Sequence, residues 1–267
     1  MAKERHARER VSVAGTLALA LRVFARRILP IWVLSLPSGL AALLTFVLRG
    51  VMGLAAEPLF FFAFCVVIVA SYCMPFGLQC SVAIYVHGSL KNEPPPFRSA
   101  FVIGLERASS VIVHVVLMTV LALSLWAMTP GVFFSTPLTI AFSCFCLGGF
   151  LALTRICAWL AACGVERLNG NRSIRRAWEL SKGNFPLVFS SSLISELLFF
   201  SFLHCVRLIM LETNDNLIVF IILDILGCLV ISFIATLLAV TYCQLKIADE
   251  NHKIKEDSVM FDEIQYP

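Results

Sequence analysis

The amino-acid sequence predicts an all-α integral membrane protein with six transmembrane helices, arranged as three repeats of an interfacial amphipathic helix followed by a transmembrane hairpin. Three observations predict it. Of the 267 residues 59% are hydrophobic and only 14% charged, whereas a soluble domain carries about a quarter charged residues. Six apolar stretches each reach the ~20 residues that a helix needs to cross the hydrocarbon core. A basic amphipathic segment precedes each pair of them.

Taken in order, the first span runs from Ile28 to Leu48 and the second from Leu59 to Val86, where Pro75 removes a backbone donor and kinks the helix. The third runs from Ser110 to Met128. The fourth, Pro137 to Gly164, is softened at Gly148 and Gly149. The fifth is Phe185 to Cys205, and the sixth, Leu217 to Leu245, contains Gly227. The even spans exceed the bilayer thickness, so they tilt, kink or project as helix. One membrane domain therefore occupies residues 1–247, with repeats at 11–86, 96–164 and 173–247, and a short charged, partly disordered tail covers 248–267.

Charge gives the spans sides. Lys and Arg number seven before the first span, three from His87 to Ser109, five from Val165 to Asn184 and three after Leu245, while the intervening loops hold only Arg49 and Arg207. Basic loops stay cytoplasmic, so both termini are expected in the cytoplasm of a cell with this protein in its inner membrane. Lys3, Arg5, Arg8 and Arg10 before an apolar stretch imitate a signal peptide. Ser12, Gly15 and Thr16 dilute that stretch and Arg22, Arg26 and Arg27 follow it, so no cleavage is expected.

The segments before the odd spans overlay without gaps: Leu17, Ala20, Leu21 and Val23 on Phe97, Ala100, Phe101 and Ile103, and on Ile174, Ala177, Trp178 and Leu180, at offsets of 80 and 77 residues. Positions i, i+3 and i+4 form one helix face, and Thr16, Pro96 and Ser173 stand where a cap residue or early Pro is favoured. In the third copy Arg172, Arg175, Arg176 and Lys182 accompany Trp178, the pattern of a basic interfacial helix with an aromatic anchor. Anionic lipid head groups are the partner this pattern predicts.

Glu166 to Phe189, reading ERLNGNRSIRRAWELSKGNFPLVF, resembles the motif G…S…A-x-x-x-S-W-x-L-x-K-G-N-F of bacterial proteins grouped with the membrane domain of glycerophosphoryl diester phosphodiesterase. Ser173 and Ala177 stand where that pattern has Ala and Ser. Leu17 to Pro37 is similar to the family's opening motif. The resemblance implies a six-span helical membrane domain, sometimes fused to a phosphodiesterase barrel. This chain has no barrel, so the resemblance carries over no catalytic activity.

The chemistry is sparse. No phosphate-binding loop, dinucleotide fingerprint, zinc-hydrolase helix or nucleophile elbow occurs, so no enzyme activity and no cofactor is expected. The ten cysteines sit in or beside apolar runs with no C-x-x-C pair, which predicts packing rather than metal binding. A net charge of +4 implies no nucleic-acid partner. An ionisable side chain at the bilayer centre costs about 2.5–3.5 kcal/mol, which singles out Glu196 at half depth in the fifth span and Asp224 in the outer third of the sixth as ion or proton sites. His204 and Arg207 are structural partners for Asp224. Gln79, His114 and Arg155 fall toward the basic ends of their spans. The expected function is a non-catalytic scaffold or envelope-associated component with lipid-binding interfacial helices. The alternative is a small transporter or channel with its acidic site at Glu196.

Overall fold

The computed structural model describes residues 12–52, 77–107, 158–213 and 216–265, and every regular element among them is an α-helix. In chain order these are α1 (Val13–Arg26), α2 (Ile28–Met52), α3 (77–90), α4 (97–107), α5 (Trp159–Glu166), α6 (Gly170–Ser181), α7 (Phe185–Glu212) and α8 (Leu217–Gln265). The third predicted span, most of the second and fourth, and Pro75, His114, Gly148, Gly149 and Arg155 lie outside the described residues.

Among the described residues two helices are long and apolar enough to cross a membrane, Phe185–Glu212 and the stretch Leu217–His252 of α8. At a rise of about 1.5 Å per residue α7 is roughly 42 Å long and α8 roughly 73 Å, against a hydrocarbon core of about 30 Å. Only 11% and 22% of their apolar stretches are buried, whereas a core helix in a soluble domain hides most of its surface. Leu197, Phe200, Leu211, Ile218 and Ile222 all stand exposed on these two helices.

The helix at the centre is α8, on which α1, α2, α5, α6 and α7 all pack. Its buried Leu237, Val240 and Tyr242 join Ile31 and Leu34 of α2, Val82 and Val86 of α3, and Val188 of α7 in one cluster. Hydroxyls tie the contacts. Ser232 meets Ser35 of α2 at 2.8 Å, Thr241 meets Ser191 of α7 at 3.0 Å, and the Thr16 hydroxyl of α1 meets the Gln244 side-chain amide. In such a contact one hydroxyl donates to the carbonyl one turn back and offers a lone pair, while the other donates across the interface, which suits close contact between apolar helices.

The α3 backbone is clamped from both sides. A Cβ on Gly104 of α4 would lie 2.7 Å from the Ser81 nitrogen, and one on Gly164 of α5 would lie 2.7 Å from the Cys80 carbonyl oxygen. Beyond α5 the chain turns through Arg167 in the left-handed region (φ 55), and beyond α6 through Gly183 (φ 89), before Pro186 opens α7.

Two expectations are corrected. Thr16 and Ser173 do not cap their helices: Ser12 and Asn169 occupy the N-cap positions. Thr16 and Ser173 lie one turn inside, fully buried, with their hydroxyls donated to the carbonyls of Ser12 and Gly170. The segment after residue 247 is helical rather than partly disordered, because α8 continues unbroken to Gln265. No Gly or Pro interrupts the chain between Gly227 and Pro267, and the first turns beyond Leu245 are held by ion pairs.

Candidate functional site

The helix α6 was singled out as a lipid contact, and its side chains divide into two sets. Ser173, Ala177 and Leu180 are buried, while Arg172, Arg175, Trp178 and Lys182 are exposed. Arg175 reaches Glu179 at 2.9 Å on the open surface, a pair contributing roughly 0.3–0.5 kcal/mol. Arg176 does not belong with the exposed cations. It turns inward, its Nε 3.3 Å from Glu166 Oε2 at the end of α5 and its Nη1 3.2 Å from Asp249 Oδ2 on α8. Lys246 closes the group, 3.5 Å from Glu166 Oε1 and 4.0 Å from Glu250.

Burial alone would raise the Glu166 carboxyl, but the nearby Tyr242 hydroxyl, Arg176 and Lys246 outweigh it and hold the group below its ordinary value. The Tyr242 hydroxyl is buried and approaches Glu166 without completing a hydrogen bond of normal geometry. Burial opposes the charge of Arg176 as well, yet Glu166 and Asp249 raise its pKa above the ordinary value. This network was not foreseen; the signal available was Asp249 and Glu250 falling three and four residues after Lys246, facing the basic run at 172–176.

The two acids singled out within the apolar spans are separated. Glu196 is exposed on α7 among exposed Leu193, Leu197 and Phe200, and makes no ion pair or hydrogen bond among the described residues. Asp224 is half-buried and turns toward α2, where its carboxylate occupies the space that a Cβ on Gly39 would need, 2.6 Å from Oδ2, beside the Cys228 sulfur. His204 and Arg207 stay exposed and form no pair with it among the described residues. The reason is azimuth: the α8 face toward α7 at this level is Gly227, which receives Phe202. Asp224 instead heads a polar stripe at four-residue steps, continuing through Cys228, Ser232 and Thr236 down the α2-facing side.

Cys80 and Cys163 are buried and adjacent, with their thiols donating to the carbonyls of Leu160 and Leu168. Among the described residues no group of three or more His, Cys, Asp and Glu could hold a metal ion. A cavity of about 230 Å³ opens where the ends of α3 and α5 meet the turn before α4, lined by His87, Glu93 and Arg167 among apolar neighbours. Gln79 lies in α3, half-buried.

Among the described residues the regular elements are all helical, and the two longest helices suit a membrane by length and composition. No protein-family model, curated protein or solved structure matches it.

Proposed function

We propose that this chain is a six-span inner-membrane protein of three repeats that acts as a non-catalytic scaffold, its interfacial helices binding anionic lipid at the cytoplasmic face with both termini on that side. The similarity of Glu166–Phe189 and Leu17–Pro37 to the membrane domain named above agrees with it. One observation carries it. The three amphipathic helices bury the same register position, Ala20 (0%), Ala100 (0%) and Ala177 (3%). Each turns a basic residue and a large apolar one outward together: Arg22 with Leu21, Arg98 with Phe97, Arg175 with Trp178. A helix that buries small residues against a bundle and shows cation plus hydrocarbon on its free edge suits the head-group layer.

Each basic side chain near an anionic surface contributes about 1 kcal/mol, so neutralising Arg172, Arg175 and Lys182 together weakens binding of phosphatidylglycerol to the full chain roughly a hundredfold. Arg176 is left in place because it holds Glu166 and Asp249. Titration with short-chain phosphatidylglycerol at low salt reads the effect, and unchanged affinity refutes the proposal. The second reading, a small transporter or channel, draws on Glu196, a carboxylate in a lipid-length helix with no partner among the described residues. It requires that Glu196→Gln abolish cation flux in proteoliposomes at unchanged expression, and surviving flux removes it.

A further inference from the structure

The cavity between the ends of α3 and α5 carries two opposite charges that do not meet. Glu93 and Arg167 both line its wall, yet no ion pair joins them, and each is without a partner among the described residues. Both residues are exposed, so their carboxylate and guanidinium belong to the rim of the cavity, farther apart than an ion pair. The last turns of α3 and α5 end at the same place, and a helix C-terminus favours positive charge, which reinforces Glu93 as a cation pole. Arg167 is the anion pole, and its backbone takes the left-handed conformation at φ 55 as the residue that ends α5.

Between the poles the wall is apolar, from Ile84, Ile103 and Val165, with one polar insertion at His87. The His87 Nδ1 lies 3.5 Å from the Cys243 sulfur, so Nε2 is the ring nitrogen that this contact does not use. Burial, with Lys91 and Lys246 nearby, lowers the His87 pKa, so the ring adds a hydrogen-bonding group without a third charge. A volume of about 230 Å³ falls below the roughly 300–1,000 Å³ of drug-sized pockets, so the ligand has head-group size.

We propose that this cavity binds a small zwitterion carrying a primary ammonium and a phosphate, the ammonium on Glu93 and the phosphate on Arg167. The chemistry is that of phosphoethanolamine, free or as a phospholipid head group. It does not depend on the anionic-lipid binding proposed above, which uses the exposed edge of α6.

Calorimetric titration of the full chain in detergent with phosphoethanolamine tests the site. Saturable binding of one equivalent is expected, weakened at least about tenfold by Glu93→Gln and by Arg167→Asn, since each removes a charge-assisted hydrogen bond. Asparagine tolerates the left-handed conformation, so Arg167→Asn removes charge without straining the backbone. Ile103→Trp fills the cavity, keeps both charges and gives the same loss. Phosphocholine, whose ammonium has no N–H, binds at least about tenfold more weakly. The source is read by repeating the titration in nanodiscs. Binding blocked in phosphatidylethanolamine discs but present in phosphatidylcholine discs identifies a lipid head group, and binding in both identifies the free zwitterion. Absence of saturable binding in detergent, equal affinity in all three variants, or inorganic phosphate binding as tightly as phosphoethanolamine overturns the proposal.

Discussion

Replacing Gly164 and Gly15 by alanine makes the same chemical change with opposite expected signs. In α1 an added Cβ at Gly15 meets only Ser12, at 3.6 Å, and the helix there is exposed. The Gly15 N–H keeps its bond to the Ser12 side chain, and Gly→Ala in a compatible helix position stabilises by about 0.5–1 kcal/mol. In α5 the Cβ at Gly164 would sit 2.7 Å from the Cys80 carbonyl oxygen and 3.3 Å from its Cα. These are backbone atoms of α3, which cannot rotate away as a side-chain end could. Ordinary contact lies at 3.4–4 Å, so the two helices must part by several tenths of an ångström or more, while Gly104 presses α3 from the other side. Overpacking of this kind costs about 1–3 kcal/mol; less the propensity gain, Gly164→Ala destabilises by roughly 1–2 kcal/mol. At about 2–4 °C per kcal/mol for a chain of this size, thermal unfolding in detergent followed by tryptophan emission should show Gly164→Ala melting several degrees low and Gly15→Ala slightly high. A Gly164→Ala protein as stable as the parent would refute the backbone clamp on α3.

Arg176→Met destabilises by about 1–3 kcal/mol, a fraction of the cost of breaking a fully buried pair, because its partners keep some solvent and Glu166 retains Lys246; Arg175→Gln changes stability by less than about 0.5 kcal/mol. The same melts across pH carry a sign. The folded pKa of Glu166 is depressed, so its contribution is complete above the unfolded value of about 4.3 and is lost as pH falls through the folded value. The acid limb should therefore be shallower in Arg176→Met, and an unchanged limb would show that Arg176 does not hold that carboxyl.

Much of the helix layout was legible because it rests on local signals. The start of α2 at Ile28, of α7 at Phe185 and of α8 at Leu217 follows from apolar onset after Arg27, Asn184 and Asn216. The overlay of Ala20, Ala100 and Ala177 gave the buried register, since a small residue repeated on one helix face marks close packing. Contacts that depend on azimuth were not legible. Hydropathy gives the depth of Asp224 but not which neighbour it faces, and α2 rather than α7 receives it. Arg176 looked equivalent to Arg172 and Arg175, and only the approach of α8 separates it. The extension of α8 past Leu245 was missed because charge was read as a helix end, although charged side chains at i and i+4, as in Lys246 and Glu250, support a solvated helix.

The position of α8 in the chain bears on how the protein assembles. Helices α1, α2, α5, α6 and α7 all rest on it, and it follows every other described helix in the sequence. During synthesis Ala20, Ile31, Leu34 and Val188 therefore emerge before the surface that will cover them. The hydroxyls of Thr16, Ser35 and Ser191 wait for Gln244, Ser232 and Thr241 in the same way. A chain halted before residue 217 holds these helices without the one on which they pack. Completion of α8 is thus the event that joins the other described helices that rest on it into one packed unit.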